Sequence, residues 1–284
     1  MIRQSMANYD SQKKRTVSEL TQIAKTMRRD ILTMITEAKS GHPGGSLSCV
    51  ELVAALYFSE MVYDPKKPQL TNRDRFVLSK GHGVPTVYAA MAEAGFFDKQ
   101  ELMTLRKTGA RLQGHPDPAR VPGIEASTGS LGQGLSIAQG FALASQLENN
   151  LWHTYCLMGD GELQEGQVWE AAMSIPHFKL NNLTAIIDYN KGQIDGPTNQ
   201  VMGLEPLADK WRAFGWHVEV IDGHSLDQIL QVYRAARNNK TPVPHCIIAN
   251  TIKGKGVSFM EGKIGWHGVA PTQDELKTAL GELL

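Results

Sequence analysis

The sequence predicts an α/β fold, a mostly parallel sheet with helices on both faces. Segments with strand character alternate with segments of helical periodicity, which is typical of parallel strands joined by helices. Several predicted strands are continuous apolar runs, as expected for strands covered on both faces. The 284 residues contain no internal repeat, low-complexity linker or composition break. We therefore expect a single α/β domain over 16–284, preceded by a flexible N-terminal arm over 1–15.

The first predicted helix has the clearest boundaries. Apolar residues recur at helical spacing from Val17 to Ala38. Thr16 and Glu19 have the spacing of a capping box, in which each side chain binds the backbone of the other residue. Gly41 is predicted to end the helix, because glycine readily adopts the left-handed backbone that terminates helices.

The remaining elements follow from the same two periodicities and from turn residues between them. Strands are predicted at 75–78, 152–158, 183–188, 216–221 and 245–249. Helices are predicted at 47–61, 85–94, 99–108, 132–149, 165–178, 206–214 and 226–238, with a loop over 109–123. The last five residues have the pattern of the end of a terminal helix.

Composition excludes several classes of partner. Lys+Arg and Asp+Glu both number 29, so no net charge favours nucleic acid or a membrane surface. No apolar run reaches transmembrane length, and the N-terminus lacks the hydrophobic segment of a secretory signal. The three cysteines are far apart and lack metal-ligand spacing. We therefore expect a cytoplasmic protein that binds neither nucleic acid nor membranes; a mitochondrial presequence is the alternative.

Two polar residues follow neighbouring predicted strands. Asp160, between Gly159 and Gly161, comes just after the second strand, and Asn190 just after the third. Because the carboxyl ends of parallel strands meet at one edge of a sheet, the two side chains should lie close together. Carboxylate and amide oxygens suit Mg²⁺ or Ca²⁺, typically completed by a phosphate. The pattern predicts a metal–diphosphate site; two unrelated loop turns are the alternative.

Histidines recur in glycine-rich loops. His42, His82 and His115 each have a glycine as neighbour, and His267 precedes Gly268. Imidazole suits proton transfer to sugar hydroxyls near pH 7. Each histidine alone is equally consistent with an ordinary loop residue, but three glycine-flanked histidines in one α/β domain favour a shared site.

Two further loops have candidate phosphate contacts. The run from Ser127 to Gly134 leads into a helix, whose free N–H groups favour an anion. Its glycine spacing differs from that of the dinucleotide-binding fingerprint. Lys253 and Lys255 follow the last strand; we expect them at a solvated rim, with phosphate contact as the alternative.

Taken together, these segments resemble the N-terminal, diphosphate-binding module of transketolase. Eight motifs occur in the family's order between about residues 16 and 271. They are Ser40-Gly-His-Pro-Gly44, Ser79-Lys-Gly-His82, Gly114-His-Pro116, Thr128-Gly-Ser-Leu-Gly-Gln-Gly134, Gly159-Asp-Gly-Glu-Leu-Gln-Glu-Gly166, Asp188-Tyr-Asn-Lys191, Ile194-Asp-Gly196 and His267-Gly268. Each motif is a weak signal, whereas eight in order make a chance match very improbable.

The resemblance implies thiamine diphosphate as the cofactor, held with Mg²⁺, Ca²⁺ or Mn²⁺. The implied metal ligands are Asp160, Asn190 and the backbone carbonyl of Gly192. Family members usually carry a bulky aliphatic residue at the last of these positions, so Gly192 implies a changed contact with the cofactor ring. The other implied cofactor-binding residues are His82, Gly129, Ser130, Leu131, Gly159, Gly161, Glu165 and His267.

The resemblance also implies roles in catalysis. His82 and His267 would touch the diphosphate and the reacting end of the sugar, while His42 and His115 would bind donor hydroxyls and help to move protons. Glu165 would lie at a subunit interface, in a carboxylate network between paired sites. The implied reaction transfers a two-carbon ketol unit from a ketose phosphate to an aldose phosphate, with the cofactor as electron sink.

The length of the chain suggests how it assembles. It ends soon after His267, whereas a full-length transketolase continues into a pyrimidine-binding module and a third domain. We expect the N-terminal subunit of a split transketolase, paired with a separate C-terminal subunit in an α₂β₂ heterotetramer. A chain truncated from a longer one is the alternative. The sugars remain open between the pentose phosphate pathway and a dedicated branched-sugar or sulfo-sugar route.

Two other functions stay open. A 2-oxo acid dehydrogenase E1 α subunit, or an enzyme like deoxyxylulose-phosphate synthase, would share the Gly-Asp-Gly run, but the histidine–glycine loops favour sugar binding. A non-catalytic paralogue that only pairs with another subunit would be expected to lack metal ligands, yet Asp160 and Asn190 are both present.

Overall fold

Five parallel strands form one sheet in the order β1-β2-β3-β5-β4. The computed structural model describes residues 14–150 and 152–284, so the predicted arm lies almost wholly outside the described residues. The strands are β1 (Arg75–Leu78), β2 (Thr154–Gly159), β3 (Leu183–Tyr189), β4 (His217–Asp222) and β5 (His245–Asn250). All five strands agree with the prediction to within two residues at each end, and the predicted α/β class is confirmed.

The described helices lie between and around these strands. They are α1 (Val17–Ala38), α2 (Pro43–Leu47), α3 (Val50–Ala55), α4 (Val84–Ala94), α5 (Gln133–Leu147), α6 (Gly166–His177), α7 (Thr198–Val201), α8 (Leu207–Ala213), α9 (Leu226–Arg237) and α10 (Gln273–Glu282). Short 3₁₀ turns occur at Gly81–Gly83, Lys99–Thr104, Gly161–Gln164 and Ile264–Trp266, and a π-helical turn spans Leu56–Glu60. None of these helices is both long and apolar enough to cross a membrane.

Helices cover both faces of the sheet because the strand side chains alternate. Cys156 and Ala185 point into one core, with side chains of α5, α6 and α8. Tyr155 and Ile186 point into the other, with side chains of α1, α3, α4 and α9. Each fully buried large apolar side chain contributes about 1.5–3 kcal/mol relative to exposure, so the two cores fix the strand register that brings the loops together.

The boundaries of α1 differ from prediction at one end. The capping box of Thr16 and Glu19 is present, with both reciprocal hydrogen bonds. The helix ends at Lys39, which takes the left-handed conformation (φ 51°), rather than at Gly41. Gly41 follows with φ 151° in the loop, where an added Cβ would lie 3.0 Å from the Ile35 side chain. Gly41 is therefore required by the conformation of the loop and does not terminate the helix.

The helix predicted over 47–61 is broken. Its first residue, Leu47, is the last residue of α2, which begins at Pro43, and Cys49 leaves the helical conformation before α3. The hydroxyl of Ser48 explains the break, since it contacts the carbonyl of Gly45 at 3.1 Å and donates to Asp188 at 2.6 Å. A side chain that binds a buried carboxylate on the sheet competes with continuous helix here.

One other expectation is wrong, one short helix is additional to the prediction, and the predicted terminal helix is present. The helix predicted over 99–108 is a 3₁₀ turn that ends at Thr104. The short helix α7 was not predicted. The terminal helix, for which only the last residues gave a signal, begins after a capping box of Thr272 and Glu275.

Candidate active site

A cavity of about 450 Å³ opens at the carboxyl ends of β1, β2, β3 and β5. Its size is within the range of small-molecule sites. It is lined by His42, Lys80, His82, His115, Gly129, Leu131, Gly159, Asp160, Gly161, Glu162, Gln164, Glu165, Asn190, Gly192, Gln193, Ile194, Asp195, Lys253 and His267. The strand-to-helix loops meet here as the parallel sheet requires.

The structure brings all but one of the predicted site residues to this cavity. The exception is Ser130, which is exposed and does not line it. Ser130 lies between two lining residues, Gly129 and Leu131, but its side chain turns to solvent. The sequence showed which loop approaches the cavity and did not show which of its side chains face inward.

Asp160 is buried at the end of β2 and is held by backbone donors. Its Oδ1 accepts from the N–H of Gly161 at 2.9 Å, and its Oδ2 accepts from the N–H of Lys191 at 2.5 Å. Burial, followed by the charge of Asp188, raises the pKa of Asp160 to about 7. Among the described residues no cationic side chain lies at hydrogen-bond distance from Asp160, and a buried carboxylate of this kind is suited to receive a cation.

Asn190 follows β3 with its amide oriented by two contacts. The amide nitrogen donates to Oδ2 of Asp188 at 2.9 Å, and the amide oxygen accepts from the N–H of Gly192 at 3.2 Å. Since one oxygen can accept more than one bond, this Oδ1 retains the capacity to bind a cation. Lys191, between the two, takes a left-handed conformation (φ 63°) that turns the chain toward Asp160.

Gly192 presents its carbonyl oxygen to a buried lysine. The ammonium of Lys253 donates to this oxygen at 3.2 Å, and Lys253 is only 2% exposed. Burial, together with the nearby charge of Lys80, lowers the pKa of Lys253 to about 8. The expectation that Lys253 lies at a solvated rim is therefore wrong. Lys255 is partly exposed and pairs with Glu261 at 3.2 Å.

The side chain of Ile264 fills the space beside Gly192. A Cβ added to Gly192 would lie 2.5 Å from Cδ1 of Ile264 and 3.4 Å from Cδ of Lys253. The bulky aliphatic residue that the resemblance implies at this position would require the side chain of Ile264 to move. An aliphatic group from another loop occupies the volume next to the glycine instead.

A buried ion pair that sequence reasoning missed lies under the cavity. The ammonium of Lys80 is 2.5 Å from Oδ2 of Asp188, and neither side chain is more than 1% exposed. Burial opposes both charges, but each holds the other ionised: the pKa of Lys80 is raised and that of Asp188 lowered. The signal was a charged residue near the end of the apolar run of β3, Asp188, which lies two residues before Asn190.

Glu162 is a second buried group that was not identified. Its carboxylate accepts from the N–H of Gly132 at 2.9 Å, from the N–H of Gly159 at 3.1 Å and from the hydroxyl of Ser79. It thereby ties the glycine-rich loop before α5 to the end of β2. Burial raises the pKa of Glu162, against these donors.

The four predicted histidines form one cluster. The ring of His42 lies 5.3 Å from that of His82, 6.5 Å from that of His115 and 5.6 Å from that of His267, and the rings of His82 and His267 stack at 5.2 Å. They come from four separate loops. Only the fold could show that the rings meet.

The histidine cluster favours neutral imidazoles. Burial is the first cause at each ring, and nearby cations add to it. The pKa falls to about 4 at His42 and to about 3 at His267, well below the ordinary value at His82, and below it at His115. Each ring therefore offers one donor and one acceptor nitrogen near pH 7, as proton exchange with hydroxyl groups requires.

The cavity contains unmet hydrogen-bonding capacity. Nδ1 of His42 and Nδ1 of His267 are buried and have no hydrogen-bond partner in the described part of the chain. Buried polar atoms are nearly always paired, so a polar ligand is expected to satisfy them. Gly129 (φ 148°) lies so close to His115 that a Cβ would come within 2.7 Å of the ring. The unpaired histidine nitrogens, the oxygen ligands of Asp160 and Asn190 and the close approach of the Gly129 backbone fit a phosphorylated cofactor bound with a cation.

Fold and cavity together define an α/β domain with a polar, histidine-lined cavity at the edge of a parallel sheet. Residues 20–283 match the family model described as transketolase, thiamine diphosphate binding domain. The chain belongs to the transketolase family.

Two relatives of similar length support this assignment. The chain is 49% identical to the 6-deoxy-6-sulfo-D-fructose transketolase subunit SqwG of Clostridium sp. (strain MSTE9), over 93% of this chain and 96% of that protein. It is 45% identical to a subunit of the apulose-4-phosphate transketolase of Phocaeicola vulgatus, over 90% of each. The predicted family and transketolase-type function are confirmed by these matches.

A solved structure shows the same fold in a longer chain. The crystal structure of transketolase from Campylobacter jejuni superimposes with a TM-score of 0.88 at 32% identity. The match covers 95% of this chain and 43% of that one. This chain therefore spans less than half the length of that transketolase.

Proposed function

We propose that this chain is the N-terminal subunit of a two-component transketolase, which transfers a two-carbon ketol unit from a ketose to an aldose. The observation that carries the proposal is the convergence of four histidine rings, from four loops, in the cavity that Asp160 and Asn190 also line. Its support from relatives is that proteins of the same length are named as transketolase subunits.

We infer that Asp160, Asn190 and the carbonyl of Gly192 hold a divalent cation, for which Mg²⁺ is the preferred candidate. All three offer hard oxygen ligands at one edge of the sheet. Lys253 would neutralise part of the charge of the diphosphate, since it is a buried cation on the cavity wall and no carboxylate of residues 14–150 or 152–284 lies within hydrogen-bond distance of it. Thiamine diphosphate, when bound, would supply the carbon nucleophile and electron sink for the reaction.

The histidines would exchange protons with the sugar. His42 and His115 would bind hydroxyls of the donor, and His82 and His267 would contact the diphosphate and the reacting carbonyl end. Because burial keeps their pKa values low, the rings would return to the neutral form after each transfer. Glu165, which lines the cavity and is exposed, is available to a neighbouring subunit.

The partner would be a separate C-terminal subunit that carries the pyrimidine-binding module, in an α₂β₂ heterotetramer. The support is that relatives of this length are called subunits, while the matched transketolase structure is more than twice as long. We also infer that 16–284 form one domain, because one sheet supports both cores. A cytoplasmic location is part of the proposal, since all three cysteines are buried free thiols.

The donor would be a ketose with an anionic group at its far end. The names of the relatives include a sulfonated hexulose and a phosphorylated branched pentulose. The test is reconstitution with the partner, thiamine diphosphate and Mg²⁺, followed by assays with sulfofructose, apulose 4-phosphate and xylulose 5-phosphate, with pyruvate as the control for oxo acid chemistry. Ketol transfer from one of the sugars would support the proposal. Activity with pyruvate and with none of the three sugars would overturn it.

A further inference from the structure

We propose that His217, Glu219 and His245 form a second metal site, for a divalent transition metal of the Zn²⁺ type, at the end of the sheet opposite the cavity. His217 and His245 are the first residues of β4 and β5, whereas the cavity lies at the carboxyl ends of the strands. A six-residue strand spans about 17 Å, so the two sites are separate.

Strand pairing brings the three side chains together. His217 pairs with His245 in the parallel register of β4 and β5. Glu219 lies two residues along β4 and therefore on the same face as His217. The two imidazole rings are 4.6 Å apart, and Oε2 of Glu219 is 3.9 Å from Nδ1 of His245.

The ligand atoms are near coordination distance of one ion. One atom from each residue can be chosen so that all three lie within 4.8 Å of one another. Two ligands bonded tetrahedrally at about 2.1 Å lie about 3.4 Å apart. His217 is exposed, so a small movement of its ring toward Glu219 and His245 would bring the three ligand atoms to bonding distance of one ion.

Two buried polar atoms point to a missing partner at this cluster. Nδ1 of His245 and Oε2 of Glu219 are buried and have no hydrogen bond in the described part of the chain. His245 is 6% exposed, so its ring nitrogen has no ready access to water. Such atoms are rarely left unpaired, and an ion between them would satisfy both.

The donor set selects the class of metal. Two imidazoles and one carboxylate suit Zn²⁺ and similar transition metals, whereas Mg²⁺ and Ca²⁺ prefer oxygen ligands. A neutral imidazole keeps one unprotonated ring nitrogen, and at His245 the buried Nδ1 without a hydrogen bond in the described part of the chain can take that role. A fourth position on the side of the exposed His217 would take water.

A metal at this site would link the edge strand β4 to its neighbour β5. β4 pairs with β5 alone and has no strand on its other side in the described part of the chain. A metal bound to both strands would join the edge strand to its neighbour and stabilise the folded state. The role is structural and does not require the cofactor cavity.

The test uses the full chain, freed of metal with a chelator and titrated calorimetrically with ZnCl₂ in excess Mg²⁺, which occupies oxygen-ligand sites. We expect one Zn²⁺ per chain, with at least tenfold weaker binding in His217→Ala and in Glu219→Gln. His177→Ala, which removes an exposed histidine on α6, is the matched control and should bind as the original chain does.

Substitution of Co²⁺ gives an independent readout, because tetrahedral histidine ligation produces visible ligand-field bands that His217→Ala should lose. Circular dichroism checks that the variants are folded. Because His217 and Glu219 are not core residues, both variants should have the spectrum of the original chain. Equal Zn²⁺ affinity in the original chain, His217→Ala and Glu219→Gln would overturn the proposal, as would no Zn²⁺ binding in the presence of Mg²⁺.

Discussion

The amide nitrogen of Asn190 donates a hydrogen bond of 2.9 Å to Oδ2 of Asp188. This contact assigns the two ends of the amide: the nitrogen faces the buried ion pair, and the oxygen is left for the metal site. The same Asp188 oxygen receives Lys80 at 2.5 Å and the hydroxyl of Ser48 at 2.6 Å. The carboxylate of Asp188, which is buried in the sheet, therefore fixes the orientation of the Asn190 amide, a proposed metal ligand.

Asp188→Asn should destabilise the fold strongly. The change leaves the ammonium of Lys80 buried without its counter-charge, and breaking a buried pair in this way costs about 3–5 kcal/mol. Urea unfolding followed by circular dichroism measures the loss. Asp222→Asn is the matched control, since Asp222 is exposed at the end of the edge strand, and it should change stability by less than about 0.5 kcal/mol. Similar effects of the two changes would contradict the role given to Asp188.

Lys253→Met should weaken binding of thiamine diphosphate at least tenfold, a loss of about 1.4 kcal/mol. The reason is that Lys253 is a buried cation on the cavity wall, and methionine keeps its apolar stem while it removes the charge. Tryptophan fluorescence or calorimetry in Mg²⁺ gives the affinity. Lys255→Met, two residues along the same loop, should change it less than twofold, because Lys255 pairs with Glu261. Equal losses of cofactor affinity in the two variants would contradict a specific role of Lys253 in binding the diphosphate.

Gly192→Leu should destabilise the chain by about 1 kcal/mol, the low end of the usual penalty for overpacking, because it meets the end of the half-buried Ile264 side chain. Its Cβ would lie 2.5 Å from Cδ1 of Ile264. Thermal unfolding measures the change, and adding Ile264→Ala should restore most of the stability. Gly196→Ala serves as the control, because a Cβ there meets only Val201 at an ordinary 3.4 Å. If the double variant were no more stable than Gly192→Leu, Ile264 would not be the obstructing group.

Acid should destabilise the fold through His153. This residue lies just before β2, and its Nε2 is 2.8 Å from the hydroxyl of Thr184. Burial, then the charge of Arg237, lowers the pKa of His153 to about 3. The unfolded chain binds a proton near pH 6.5 and the folded chain does not, so stability is lost as pH falls from 6.5 toward 3.

The expected contribution of His153 between pH 7.5 and pH 5 is about 2 kcal/mol. Urea unfolding at the two pH values measures it. His153→Gln removes the titrating group but keeps a polar side chain for Thr184, so its loss of stability over this range should be about 2 kcal/mol smaller than that of the original chain. The same pH dependence in both proteins would show that His153 titrates normally.

Much of this architecture could be predicted because it rests on local patterns. The strands of the sheet are apolar runs, and Asp160 and Asn190 follow two of them, so a shared edge follows from chain direction alone. The burial of Lys253 could not be predicted in this way, because nothing in its neighbours distinguishes it from Lys255. The same applies to the break at Cys49, which depends on a hydrogen bond from Ser48 to a strand far along the chain.

The most direct test of the central proposal is ketol transfer by the reconstituted enzyme. This chain, a C-terminal partner, thiamine diphosphate and Mg²⁺ should together turn over a ketose donor, and neither of the two chains should do so by itself. Asp160→Ala should assemble with the partner but lose Mg²⁺-dependent cofactor binding and activity. Turnover by this chain without its partner, or full activity of Asp160→Ala, would contradict the assignment.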